Sequence, residues 1–420
     1  MRIVRSNLLV LGCVHALVAC GAAPDDEPLA TATSALAPPG FLDVTTVGAI
    51  GNGVTDNTGV LASATAALNT LCPNQGICGL FFPAGTYLSD TLTLPPNRQI
   101  TAAGGAVLRG KPGGTGPVLV LSAGDAISIL GIDGNRSGRP SGGDCVFGNF
   151  ASGVSLNNVS VFNCMTNGVE LASTTGYTIS SSSISSCNQD GRSAGINLGF
   201  SSGGQVLNNS VSSCPHGILW WGGDSATTLS TGISNVTISN NTVSNIARGC
   251  IWGSAGQGIT VSGNTVAGCG DVGIDLEGTS NSSVTSNFVT SANNGGITTF
   301  FGSSSDMIIG NTVNQTANPG PGIHFYGTRI SSALTVSGNI IHTSTNWGIS
   351  MESNVIGGLT ISNNTITVDG SIGDIQVIGA PGPITINSNT LMVAGPFAIS
   401  VQSSNNVFAT NNMIHSQTGS

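Results

Sequence analysis

From about residue 152 onward, apolar and polar positions alternate in short runs that recur roughly every 22 to 27 residues. Val236-Thr237-Ile238-Ser239-Asn240-Asn241-Thr242-Val243 is one instance. Ile259-Thr260-Val261-Ser262-Gly263-Asn264-Thr265-Val266 follows it, and Leu359-Thr360-Ile361-Ser362-Asn363-Asn364-Thr365-Ile366 is a later one. Alternation with period two is the signature of a half-buried strand. Each unit holds two such stretches and a Gly-Ile step, and leaves no room for a helix, which excludes βαβ units. A leucine-rich repeat of similar period needs regularly placed Leu, whereas this chain uses Val and Ile. A propeller blade needs longer repeats. The pattern predicts an all-β, single-stranded, right-handed parallel β-helix.

Between the two stretches of each unit sits Asn, often doubled. Asn tolerates the left-handed backbone region and hydrogen-bonds to nearby backbone, so it suits a tight corner. Stacking coil on coil predicts a ladder of Asn209, Asn241, Asn264, Asn287, Asn311, Asn339, Asn364, Asn389 and Asn412. Cys164, Cys187, Cys214 and Cys269 share one position in their units. They are expected as an inward stack of small apolar residues, close enough for disulfides without requiring them. Cys72 and Cys78 flank a short loop that a disulfide can close.

Composition supports β structure over helix. Charged residues make up 7% of the chain, and Gly, Ser, Thr, Asn, Val and Ile dominate. A formal net charge of -9 disfavours nucleic acid, whose phosphates need cations. No C-x-x-C pair or His/Cys cluster suggests zinc.

The N-terminus is a targeting segment. Arg2 and Arg5 precede an apolar stretch that ends in Leu17-Val18-Ala19-Cys20-Gly21. This resembles a bacterial lipobox, which implies a signal peptide over 1–19 and lipidation of Cys20. A flexible tether over 20–40 would follow, then the β-helix domain over 41–420. The expected location is the cell surface or outer membrane, with the lipid as the sole membrane contact.

Residues 41–110 are expected to form the N-terminal cap and first coils. Val47-Gly48-Ala49-Ile50-Gly51-Asn52-Gly53-Val54-Thr55-Asp56-Asn57-Thr58 precedes an Ala-rich stretch. Phe81-Phe82-Pro83-Ala84-Gly85-Thr86-Tyr87-Leu88 follows. This opening resembles the pectate-lyase-like superfamily, and implies a helix, capped by Asp56 or Thr58, that closes the barrel. The chemistry of polygalacturonases does not carry over. Pro215-His216-Gly217 holds half of one of their motifs, Asp25-Asp26 falls in the tether, and Arg109-Gly110-Lys111 comes too early.

Aligned on Gly-Ile, the units yield two outward columns. One runs Glu170, Asn197, Leu219, Ile251, Asp275, Thr298, His324, Ser350; the other runs Ala172, Gly199, Trp221, Gly253, Glu277, Phe300, Tyr326, Glu352. The turns just before supply Asp190, His216, Arg248 and Asp271. Asp271, Asp275 and Glu277 fall within seven positions of a chain poor in acids. Such carboxylates raise one another's pKa or hold a cation, calcium being the candidate. Glu170 and Glu352 are expected in solvent. Asp271, Asp275, Glu277, His324 and Arg248 are therefore the catalytic candidates, and Trp221, Phe300, Tyr326 and His216 the sugar-binding ones. The expected function is a surface polysaccharide-active enzyme, a glycosidase or a lyase acting on an acidic glycan. A non-catalytic glycan-binding or structural protein and a uronate epimerase are the alternatives.

Overall fold

The computed structural model describes residues 35–188, 193–224, 232–327, 332–352, 358–370 and 372–417. Cys20, the signal segment, most of the tether and Asp190 lie outside the described residues. Among the described residues, no helix is long and apolar enough to cross a membrane.

The described residues wind as a right-handed parallel β-helix, and among them are three long sheets. The first sheet has 15 strands, from Phe41–Asp43 to Val407–Thr410; the second has 15, from Asn52–Asp56 to Met413–Ser416. The third has 13, from Leu92–Thr93 to Phe397–Gln402. Each strand pairs in parallel with its counterpart one coil away, so residues stack in columns. Inward columns of Val, Ile and Leu form one continuous core.

At the N-terminal end the helix Thr58–Gln75 buries Leu61, Ala64 and Leu68 over the first coils. Asp56 Oδ1 accepts the Thr58 amide at 3.0 Å and so caps the helix from two residues upstream. The flanking Asn57 side chain instead clasps the Ile50 backbone. A Cys72–Cys78 disulfide closes the loop after the helix.

The predicted Asn ladder is present, with its two jobs split between neighbours. The ladder Asn residues from Asn209 to Asn389 are buried, and from Asn241 onward each Oδ1 accepts from the backbone N–H and Nδ2 of the Asn one coil earlier. The left-handed conformation falls on the preceding residue, as at Asn208, Asn240, Gly263, Ser286 and Asn363. A buried amide needs its partners satisfied, so the ladder Asn keeps ordinary geometry and its neighbour makes the corner.

The Gly of each Gly-Ile step has a steric cause. A Cβ on Gly195, Gly217, Gly296 or Gly322 would come within 2.3 to 2.4 Å of the core side chain of Val211, Val243, Val313 or Ile341. Cys145 and Cys250 occupy this same column and bond to Cys164 and Cys269. Cys187 bonds to Cys214. The four stacked cysteines are thus buried as expected, but as members of disulfides rather than as a thiol stack. Disulfides of this kind form and persist in oxidising compartments.

Near the C-terminal end the same column holds Asp374, which is fully buried with neither carboxylate oxygen hydrogen-bonded. Burial raises its pKa to about 7. The unfolded chain releases this proton near the ordinary aspartate value, so the unfolded state ionises first as pH rises. Stability of these coils should fall between about pH 4 and about pH 7. Asp374→Ala should remove that loss, worth about 4 kcal/mol at pH 8. Hydrogen exchange in Gly373–Ile378 tests it; equal protection of parent and variant at pH 8 would refute it.

Candidate functional site

The outer face of the third sheet carries a groove of about 1010 Å³. Its floor is the strand Val272–Glu277, flanked by Ile251–Ser254 and Gly295–Phe300. Ile274 and Leu276 are buried in the core, so Asp275 and Glu277 project outward from one strand. Asp275 pairs in register with Trp252 on one side and Thr298 on the other; Glu277 lies between Ser254 and Phe300.

Asp275 faces outward yet is 2% exposed, sunk between its neighbours. Its Oδ1 is buried without a hydrogen bond. Burial pushes its pKa well up, and the charges of Glu277 and Asp271 push the same way. Hydrogen bonds involving Thr298 and the Leu276 backbone oppose this with smaller effect. Asp275 therefore holds a proton well above the usual aspartate range. Glu277 Oε1 accepts the Trp252 indole N–H at 2.9 Å. Asp271 Oδ1 accepts from Asn294 Nδ2 at 2.6 Å.

Aromatic rings bracket the carboxylates along the axis. Toward the N-terminal coils, His216 stacks on Trp252 with centroids 5.2 Å apart, and Trp221 lies 6.1 Å from Trp252. Toward the C-terminal coils, Phe300 meets Phe301 at 6.0 Å and Tyr326 at 5.2 Å.

Of the residues singled out in the sequence, Asp271, Asp275, Glu277, Arg248, His216, Trp221 and Phe300 line this groove. His324 and Tyr326 stand one coil beyond Phe300 and pack against it rather than lining the cavity. His324 Nε2 lies 3.5 Å from Glu352, longer than a good hydrogen bond, and burial lowers its pKa. Glu352 keeps 43% of its side chain in solvent, as expected. Asp271, Asp275 and Glu277 are not arranged as a calcium cage: among the described residues, no group of three or more His, Cys, Asp or Glu could hold a metal ion.

Two outward-column assignments are corrected. The strand register places Trp252 and Ser254, not Ile251 and Gly253, in the columns of Asp275 and Glu277. Cys250 takes the place of the usual Gly, so alignment on Gly249 slips by one residue, and a one-residue slip exchanges the two faces of a strand. The side chain that holds Glu277 was hidden by that slip. Glu170 is also corrected: it lines the groove half-buried and accepts from Asn167 Nδ2 at 2.7 Å. Burial and the nearby Asp144 raise its pKa to about 7. Phe200 and Phe301 line the groove as well, and both have positive φ, a conformation that a bulky residue seldom adopts.

Comparison with known proteins bears on the fold. A family model described as "Right handed beta helix region" matches residues 229–391. No curated protein sequence matches the chain. Among solved structures, the A-module of the Azotobacter vinelandii mannuronan C-5 epimerase AlgE6 superposes with a TM-score of 0.64 at 16% identity, covering 89% of this chain and 98% of that one. The Streptococcus pneumoniae surface adhesin PfbA gives 0.54 at 14%, covering 89% and 91%. The catalytic unit of a Streptomyces thermodiastaticus α-1,3-glucanase gives 0.52 at 16%, covering 90% and 71%. At these identities the likeness is one of architecture: the chain has the right-handed parallel β-helix fold.

Proposed function

We propose that the groove binds a glycan and hydrolyses it, with Asp275 as general acid and Glu277 as its partner carboxyl group. The observation that carries this is the pairing of a buried, proton-holding Asp275 with Glu277 on one strand between two aromatic clusters. A proton-holding carboxyl group beside a second carboxyl group is the arrangement that glycoside hydrolysis uses. Asp275 would donate its proton to the departing glycosidic oxygen. Glu277, oriented by the Trp252 indole, would activate water or attack the sugar carbon. Carbohydrate-related proteins among those of similar fold are consistent with a glycan ligand.

Elimination and epimerisation fit less well. Both begin by removing the proton beside a uronate carboxylate, which must first be neutralised. Glu170, Asp271, Asp275 and Glu277 line the groove against Arg248, the lone Arg or Lys among the described lining residues. That balance weighs against the acidic substrate expected from sequence and favours a neutral one.

A polysaccharide panel, run with and without calcium, tests the assignment. Glucans, xylan, mannan, alginate and pectate would be compared for reducing ends and for the ultraviolet absorbance of unsaturated uronates. New reducing ends from a neutral polymer, independent of calcium and without that absorbance, are expected. Unsaturated products would establish a lyase instead, and glycan retention without product would establish a binding protein.

A further inference from the structure

We infer that the groove extends toward the N-terminal coils as a rail of phenylalanines, and that its occupant is a neutral, extended 1,4-linked glycan lying along the solenoid axis. This rests on the glycan-binding reading above and adds the substrate class to it.

Phe150, Phe200 and Phe301 occupy one column at the end of the third sheet, each following its strand at the same register position. All three have left-handed backbones, with φ of 53°, 51° and 58°. Other coils place Ser173, Ala255, Gly278 or Gly327 there, residues with less side chain to accommodate at positive φ. Phe150 is 71% exposed and Phe200 52%. The Phe150 and Phe200 rings thus sit in a disfavoured backbone conformation and remain in water, so neither local geometry nor core packing accounts for them. Phe200 and Phe301 already line the groove.

Phe200 lies two coils from Phe150, and Phe301 four coils from Phe200. At ~4.8 Å per coil these steps are about 10 Å and about 19 Å. A diequatorially 1,4-linked pyranose chain in its extended form advances by nearly one coil spacing per sugar. It turns over at each sugar, so the same face returns every second one. Platforms separated by even numbers of coils therefore meet equivalent sugar faces, which an aromatic ring can cover. Asp275 lies five coils from Phe150 but two from Tyr326, so the longer arm of the cleft points toward the N-terminal coils.

The test uses the full chain with Asp275→Asn, so that binding is read without cleavage. Titration calorimetry would follow β-1,4-linked cello-, xylo- and manno-oligosaccharides from disaccharide to octasaccharide, with α-1,3-linked glucan and alginate oligosaccharides alongside. At least one β-1,4 series should bind more tightly with length up to the heptasaccharide or octasaccharide. Phe150→Gly and Phe200→Gly should each weaken the longest members by about 10-fold and shorten the length at which affinity levels off. Because Gly accepts positive φ, the same variants should unfold no more easily than the parent, which separates lost binding from lost folding. Stronger binding of the α-1,3 or alginate series, or an unchanged length dependence in Phe150→Gly, would overturn the rail. If the length series holds while the protein with Asp275 intact releases no product, the rail stands and hydrolysis falls. If that protein cleaves but the Phe substitutions leave the series unmoved, hydrolysis stands and the rail falls.

Discussion

Replacing Asp275 by Asn should lower glycan turnover by about 10²–10⁴-fold, the contribution of a positioned general acid, while glycan retention survives. Asn keeps the shape of the side chain and removes the proton that hydrolysis needs. The pH profile gives a sharper signature. Activity that depends on protonated Asp275 declines as pH rises through its elevated pKa. Any residual activity of the variant should lack that decline. The substitution should change stability in the opposite sense to turnover. An Asp whose folded pKa is raised favours the unfolded, ionised chain progressively as pH rises above the ordinary aspartate value. Asp275→Asn should therefore melt at a higher temperature than the parent at neutral pH and show little difference near pH 3. A variant that turns over glycan at the parental rate would remove Asp275 from the chemistry.

Gly253→Ala should be among the most damaging single-methyl substitutions in the coils. Trp220 is fully buried in the inward column Leu198, Trp220, Gly253, Leu276. Its indole fills the space that the next coil leaves open. A Cβ on Gly253 would lie 1.8 Å from Trp220 Cε2 and 1.9 Å from Cδ2. Overpacking of a well-filled core typically costs about 1–3 kcal/mol, and a rigid ring against backbone belongs at or above the top of that range. Gly253 also separates Trp252 from Ser254, so displacement of its strand should disturb the groove. Combining Gly253→Ala with Trp220→Leu should recover most of the loss, because the column would then read Leu, Leu, Ala, Leu. Denaturant unfolding of the two single variants and the double variant forms the required cycle. Additive losses would show that the two positions do not share the space.

Much of this architecture was legible in the chain because a solenoid repeats its local physics. Alternating Val and Ile fixed the strands, and the recurring Asn located the second corner of each coil. Asp275 and Glu277 could be assigned to one face because they sit on a regular strand with Ile274 and Leu276 inward. Legibility failed where one side chain substituted for another with a different cause. Cys250 stands in for Gly to reach Cys269, and that broke the alignment which would have exposed Trp252. Glu170 looked like a solvated acid because nothing local predicts Asn167 and Asp144 closing over it. Phe200 and Phe301 escaped notice because a bulky residue is not expected at positive φ.

The Asn ladder has a consequence for how such a protein changes over evolutionary time. Successive ladder residues are separated by 32, 23, 23, 24, 28, 25, 25 and 23 positions. Their Nδ2–Oδ1 distances nonetheless stay between 2.9 and 3.0 Å. The ladder thus measures coils, not residues. A turn can gain or lose several residues without shifting any column above or below it, because the next Asn re-sets the register. Insertions are then nearly neutral for the scaffold and free to reshape the rim of the groove. A lineage built this way can explore new ligands by lengthening turns, while the strand that carries Asp275 and Glu277 keeps its place.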